Sequence, residues 1–234
     1  MTEILYPKRC AGCDQVLDSK EKNLGFCREC SRQIRLTGQY TCFCCGKPLK
    51  DKTDEFCPDC KGKSHSFNQN KTVFCYSGPM KISMYRFKYG NRRCYGRTFA
   101  AMAQREYGRW IRDKKIEAII PVPMYKKKVR QRGYNQAEAF AKCLSKVTGI
   151  PQDTNLVARI HDTRPMKELD GMQRKANLQK AFTLNESGKI YNRVLVVDDI
   201  YTTGATMDQV AALLKTAGVK EVYGLCVCTG DNTL

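Results

Sequence analysis

Four Cys-x-x-Cys pairs, Cys10/Cys13, Cys27/Cys30, Cys42/Cys45 and Cys57/Cys60, recur at nearly even spacing in a stretch otherwise poor in periodic apolar residues. Each pair makes a tight knuckle that aims two sulfurs at one point. Two knuckles supply the tetrahedral four-sulfur shell that Zn²⁺ prefers. Taken in sequence order, the pairs form two zinc-ribbon-like four-cysteine sites, one from Cys10 to Cys30 and one from Cys42 to Cys60; a crossed pairing stays open at this stage. With cysteine at all four positions, neither site keeps an open position for chemistry, so both zinc ions are expected to be structural. A redox role would need such a pair at a helix start in a thioredoxin-like βαβ unit, and that pattern is absent. Gly46 directly after Cys45 is expected to let a backbone N–H approach the sulfur, which favours Cys42 and Cys45 over Cys44 as ligands. His65 and His161 read as spare, His65 as a linker residue.

The redox setting agrees with metal. The segment from Met1 to Cys10 has no apolar h-region, and no window approaches 18 uncharged apolar residues. A cytoplasmic protein without a membrane span is therefore expected, in a compartment where thiols stay reduced. Of the 14 cysteines, Cys75, Cys94, Cys143, Cys226 and Cys228 fall in periodic segments and are expected as small core residues. The chain carries 41 Lys+Arg against 23 Asp+Glu, a formal charge of +18. Two four-thiolate zinc sites lower this to about +14, which still favours a polyanionic partner.

Composition shifts near residue 66, across a polar link from Ser64 to Asn70. The spacing predicts a small double zinc-ribbon-like module over 1–66 and a larger α/β domain over 67–234. In the latter, strands are expected at Val73–Tyr76, Ile116–Ile120, Val194–Val197 and Val222–Val227. Helices are expected after Gly78-Pro79, around Phe99–Trp110, at Ala137–Leu144 and at Met207–Leu214, with Gly218 as a stop. Buried apolar strands alternating with amphipathic helices imply a mainly parallel sheet flanked by helices.

The stretch Val194-Leu-Val-Val-Asp198-Asp199-Ile-Tyr-Thr202-Thr203-Gly204-Ala205-Thr206 is the richest in chemistry. A buried strand delivers two carboxylates, then a loop of hydroxyls and glycine opens a helix. Ligands of open α/β sheets bind at the C-terminal ends of strands. A helix N-terminus favours a phosphate monoester, Thr202, Thr203 and Thr206 can donate hydroxyls to it, and Gly204 admits a close backbone approach. Asp198 and Asp199 suit the hydroxyls of a diol. A 5′-phosphorylated ribose offers both features. A Walker loop is excluded, because no Gly-Lys-Ser/Thr occurs.

This segment resembles the phosphoribosyl pyrophosphate (PRPP) signature of type I phosphoribosyltransferases. Combined with the cysteine pairs, the chain is similar over most of its length to the ComF family of competence proteins. A second block carries the same resemblance: Ile120-Pro-Val-Pro123, then Arg130-Gln-Arg132-Gly133-Tyr134-Asn135-Gln136-Ala137, similar to the family's pyrophosphate-binding loop. Lys126, Lys127, Lys128, Arg130 and Arg132 crowd one loop at a strand end, where pyrophosphate would offset their charge. Arg159, Thr163, Arg174, Asn177 and Phe182 match the pattern of a mobile hood over the site. Met166 replaces the family's usual Gln, which removes a polar side chain from that position. Lys88 matches a further family position.

The resemblance implies Mg²⁺ with PRPP, Asp198 and Asp199 on the diol, and Arg130, Arg132 and Arg174 at the leaving group. No base for an incoming acceptor can be named. Three readings follow. The first is a competence protein that assists uptake of single-stranded DNA in natural transformation, beside a helicase-like ATPase. In that reading the basic segments Arg86–Arg97, Arg105–Lys115 and Lys126–Arg132 track phosphates, and Tyr85, Phe87, Tyr89, Tyr95 and Tyr107 either stack bases or fill the core. The second is a metabolic phosphoribosyltransferase acting on a nucleobase or amine. The third is a catalytically silent docking module.

Overall fold

The side chains of Val194, Leu195, Val196 and Val197 are wholly inaccessible, which requires a strand covered on both faces. The computed structural model, which describes residues 7–21, 25–160, 181–185 and 189–230, shows how that cover is built. A four-stranded sheet has the order β1 (Gln69–Cys75), β6 (Glu221–Thr229), β5 (Arg193–Tyr201), β2 (Ala118–Pro121). All three pairings are parallel, with Val197 beside Pro121 and Asp198 beside Cys226. The C-terminal ends of the strands therefore share one edge.

Strand periodicity sends alternate side chains to opposite faces. Leu195, Val197, Leu225 and Val227 enter a core shared with α2 (Pro79–Tyr89), α3 (Tyr95–Asp113) and α5 (Gln136–Thr148). Val194, Val196 and Val222 enter a second core with α6 (Ala205–Thr216). Each cysteine cluster joins one of these cores. Cys10, Cys27 and Cys30 lie in the first with Leu17 and Phe26, whereas Cys42, Cys45, Cys57 and Cys60 lie in the second with Phe67. The short helix α1 (Arg28–Gln33) begins at the Cys27 knuckle. The two ribbons thus cover opposite faces of one sheet.

Local chemistry sets the helix ends. Asn135 caps α5 by accepting from the Ala137 N–H at 3.1 Å, and Gly149 closes it at φ +77°. The expected apolar stripe Ala137, Phe140, Ala141, Leu144 is buried, as is Met207, Val210, Ala211, Leu214 on α6. Gly218, at φ +97°, follows the end of α6 as expected.

Several boundaries differ from expectation. β1 starts at Gln69 rather than Val73, inside the stretch read as a polar link. Its polar side chains are buried because the second ribbon supplies their partners. Gln69 Nε2 donates to the Phe43 carbonyl at 2.9 Å, Asn70 Nδ2 to the Cys45 carbonyl at 2.8 Å, and Thr72 Oγ1 to the Gly46 carbonyl at 2.7 Å. β5 runs past the acidic pair to Tyr201. The basic run expected as a loop is a seven-residue helix, α4 (Lys126–Arg132). Lys, Arg and Gln are strong helix formers, Gly133 stops the helix at φ +81°, and none of its residues is buried, so no apolar stripe announced it. A hairpin-like pair, β3 (Val157–Arg159) against β4 (Phe182–Leu184), was not read from the sequence at all. Cys75, Cys226 and Cys228 are buried and Cys143 is half-buried, but Cys94 is exposed. It precedes α3, and its neighbour Tyr95 takes the core position instead.

Both sheet borders are covered by chain outside the strands. Along β1, Thr37 N–H donates to the Val73 carbonyl at 3.1 Å and Cys75 N–H to the Arg35 carbonyl at 2.9 Å. Along β2, Ile119 N–H donates to the Pro151 carbonyl and Asp153 N–H to the Ile119 carbonyl, both at 2.9 Å.

Gly46 serves a purpose other than the one expected. Its N–H donates to the Cys42 carbonyl at 2.9 Å, not to a sulfur. It has φ +74°, and a Cβ there would sit 2.7 Å from the Asn70 carbonyl oxygen. Gly46→Ala is therefore expected to destabilise the zinc-loaded protein by about 2 kcal/mol or more, combining left-handed strain with a backbone clash, as read from the midpoint of denaturant unfolding.

Candidate functional site

The eight paired cysteines gather into two clusters in sequence order, Cys10/Cys13/Cys27/Cys30 and Cys42/Cys45/Cys57/Cys60, the ligand atoms of each within 4.8 Å of one another. The crossed pairing is thereby excluded. Tetrahedral zinc at a Zn–S distance of about 2.3 Å places sulfurs about 3.8 Å apart. Cys13 and Cys27 sulfurs lie 3.8 Å apart, and those of Cys45 and Cys57 3.6 Å, so both donor sets fit the ion. One thiol of each set is held low, whereas burial and neighbouring sulfurs push Cys13, Cys30, Cys45 and Cys60 up. Burial pushes the Cys10 thiol up, but the N–H groups of Cys27, Cys13 and Gly12 outweigh it and hold the group below its ordinary value. A hydrogen bond from the Cys45 side chain outweighs burial at Cys42 and pulls it down to about 4.

Two residues that sequence reasoning set aside belong to the second cluster. Cys44 Sγ, Cys60 Sγ and a His65 ring nitrogen also lie within 4.8 Å of one another. His65 is not a spare linker residue. Its Nε2 faces Cys60 Sγ at 3.5 Å and its Nδ1 meets Asp208 Oδ2 at 2.6 Å. The signal available was a histidine five residues beyond the last cysteine pair. Its partner on α6 lies 143 positions away, beyond any local pattern.

At the C-terminal edge of the sheet, Asp198 Oδ1 accepts from the Asp199 N–H at 2.7 Å. Asp199 Oδ2 pairs with Lys88 Nζ at 3.2 Å. Lys88 sits at the end of α2, and the Arg-Gly-Tyr-Asn-Gln block explains how it arrives there. Tyr134 Oη donates to the Phe87 carbonyl, and Gln136 Nε2 donates to the Lys88 carbonyl at 3.3 Å. The block therefore satisfies terminal carbonyls of α2 and fixes the helix end that carries the lysine. Withdrawal from water, then the charge of Asp199, push the Asp198 carboxyl up to about 7, against the pull of Lys88 and Arg159.

The loop that follows is open. Thr202 and Thr203 are exposed, Ala205 and Thr206 half-buried. Gly204, at φ +81°, begins α6 with no side-chain cap on its N-terminus. Apart from a 3.5 Å contact of the Ala205 N–H with Thr203 Oγ1, first-turn N–H groups are left available to an anion. A Cβ at Gly204 would run into the Tyr201 ring, so glycine is required here for space as well as conformation.

Arg132 Nη2 donates to Tyr89 Oη at 3.1 Å and Nη1 to Gln136 Oε1 at 3.3 Å, with the guanidinium 4.8 Å over the Tyr89 ring. Arg130 is exposed on α4. Arg159 and Phe182 face each other across the β3–β4 pair at the root of the expected hood. Arg174, Thr163, Met166, Asn177 and His161 lie outside the described residues. The aromatics flagged in the basic segments divide. Phe87 and Tyr95 are core, Tyr107 is half-buried and donates to the Thr72 carbonyl at 2.7 Å, and Tyr85 and Tyr89 are exposed.

Residues 1–61 match the family described as a double zinc ribbon domain, and residues 146–233 match the phosphoribosyl transferase domain family. Fold and site together define a phosphoribosyltransferase-type domain preceded by two four-cysteine zinc ribbons. The chain is 36% identical over 208 residues to competence protein F of Haemophilus influenzae, covering 86% of this chain and 90% of that protein. It is 28% identical to the DNA utilization protein YhgH of Escherichia coli K12, covering 87% and 90%. Against competence protein ComFC of Bacillus subtilis the identity is 26%, covering 82% and 78%. The chain belongs to this competence protein F/ComFC family.

The raised Asp198 carboxyl has a measurable consequence. A carboxyl whose folded pKa exceeds its unfolded value near 4 binds its proton more tightly in the folded state. Its stabilising contribution is complete below about pH 4 and is lost as pH rises through 7. Asp198→Asn is therefore expected to be more stable than the wild type at pH 8, by up to about 4 kcal/mol at 1.36 kcal/mol per unit. The two forms should converge near pH 4 when Tm is followed against pH.

Proposed function

We propose that this protein is a competence protein that binds PRPP, or a related phosphoribosyl ligand, with Mg²⁺ at the C-terminal edge of its sheet and assists single-stranded DNA uptake in natural transformation. The observation that carries the first part is the Asp198–Asp199 pair near the C-terminal end of β5, followed after Ile200 and Tyr201 by a loop with no side-chain cap on the next helix N-terminus. In this reading Thr202, Thr203, Gly204, Ala205 and Thr206 hold the 5′-phosphate, and the two aspartates hold the ribose diol. Lys88 balances the charge of Asp199 until the hydroxyls arrive. Arg130, Arg132 and Arg174 serve the pyrophosphate. Bound Mg²⁺ would supply charge neutralisation to the pyrophosphate oxygens while retaining most of its waters.

The DNA part rests on three supports. The formal charge is +18. Tyr85 and Tyr89 stand exposed on one face of α2 with ring centroids 5.2 Å apart, and Arg132 stacks on Tyr89. Aromatic rings interleaved with arginine form the kind of surface on which unpaired bases stack. Relatives bear the names competence protein and DNA utilization protein. The same reading includes a helicase-like ATPase as partner. In this reading the protein works in the cytoplasm, where its thiols stay reduced; among the described residues no helix is long and apolar enough to cross a membrane.

Calorimetric titration of Mg²⁺–PRPP should give saturable binding that Asp198→Ala/Asp199→Ala loses by at least about tenfold; a folded, zinc-loaded wild type that binds nothing would refute the ligand assignment. Separately, affinity for single-stranded DNA should fall steeply between 50 and 200 mM salt, by about tenfold or more if several phosphates are contacted, and an affinity indifferent to salt would remove the DNA reading.

A further inference from the structure

The phosphate loop has little support of its own, but both of its ends rest on the second zinc ribbon. On the upstream side stands Tyr201, buried beneath Gly204. Phe67 meets its ring edge-on at 6.4 Å. Lys47 Nζ lies 5.9 Å from its centroid, and Lys47 is itself buried and held by Asp59 at 2.7 Å. On the downstream side is Asp208 in the first turn of α6. Its carboxylate accepts from the Ser66 N–H at 2.8 Å and meets His65 at 2.6 Å. His65 stacks on Phe67 at 4.7 Å and turns its other nitrogen to Cys60 Sγ. The supports of the two ends therefore touch each other, and one of them touches a metal ligand.

Outer residues that contact a metal ligand orient the metal site, and His65, held by Asp208, faces Cys60 in this way. Here the carboxylate belongs to the helix that opens the phosphate loop. The positions of Lys47, His65 and Phe67 depend on the knuckles Cys42/Cys45 and Cys57/Cys60, which the metal draws together. The first ribbon is placed differently: its side-chain ties run to α2, α3 and the turn between them, through Asp14 to Arg92 at 2.5 Å and Tyr95 at 2.7 Å, and from Arg86 to the Gly12 carbonyl at 3.3 Å.

We propose that the second zinc site and the phosphate loop form one thermodynamic unit: zinc at Cys42, Cys45, Cys57 and Cys60 holds the loop in its ligand-accepting shape through Lys47, His65 and Phe67, and an occupied loop in turn holds the zinc. Linkage makes the effect reciprocal. The inference rests on the reading that the loop binds PRPP. His65 and Asp208 are positioning residues in it.

The test uses the full-length, zinc-loaded protein. Zinc release to a chromogenic chelator is followed with and without saturating Mg²⁺–PRPP, with pyrophosphate alone as the control for scavenging of the metal. Two phases are expected, one per ribbon, and PRPP should slow one of them about fivefold or more, within the ordinary range of site-to-site coupling. In His65→Ala, assayed after its two zinc equivalents are confirmed, that protection should disappear and PRPP affinity should weaken about fivefold. Wild-type protein that binds PRPP but releases both zinc ions at unchanged rates overturns the coupling and leaves the ligand assignment standing, as does His65→Ala with undiminished affinity and protection. Wild-type protein that does not bind PRPP overturns both.

Discussion

Four sulfurs meeting at one point, twice, is the constraint from which the rest of this molecule follows. Segments of about 20 residues cannot enclose a hydrophobic core, so the ribbons have no order to offer until the thiolates converge. Metal binding supplies on the order of 10 kcal/mol in small zinc modules. Once ordered, each ribbon contributes apolar side chains to a different face of the sheet: Leu17 and Phe26 on one side, Leu49 on the other, beside Phe67 just past the ribbon. The cysteine clusters are thus buried parts of two cores, and the metal sites and the sheet stabilise one another.

The acidic pair works against that stability. Asp198 directly follows the apolar, inaccessible run Val194–Val197 of β5, and its neighbour carries the same charge. One lysine, delivered from α2, answers Asp199. Fixing that lysine takes a tyrosine and a glutamine from another element, both bonded to carbonyls at the end of α2. An arrangement of this kind makes sense for a site that is completed by a ligand, because donors on the ligand satisfy carboxylates that the protein satisfies only in part.

Much of this was legible in the sequence where the cause is local. The apolar run Val194–Val197, the helical stripe Ala137–Leu144 and the cysteine pairs each state a short-range physical requirement, and each is met as expected. What stayed hidden depends on partners far away in the chain. Gln69 and Asn70 looked like linker residues because their acceptors are carbonyls of the second ribbon. Lys126–Arg132 looked like a loop because a helix with no buried residue has no stripe to show. β3 and β4 are three-residue strands separated by more than twenty positions, too short to carry a period. The loop over 202–206 stood out as a segment, but the residues packed against its two ends, Lys47, His65 and Phe67, gave no sign of that task.

The link between the two ribbons has a further consequence. Arg35 to Thr37 runs along the outer side of β1 and takes up backbone groups that would otherwise face solvent, while the 151–153 segment does the same beside β2. An open parallel sheet has two selvages, and an unfinished one is a template on which another chain can knit itself. Here one border is closed by a stretch of chain anchored at each end by a metal cluster. Loss of either zinc ion would therefore unpick the hem of the sheet as well as loosen a ribbon, and would turn a self-contained protein into one with a sticky edge.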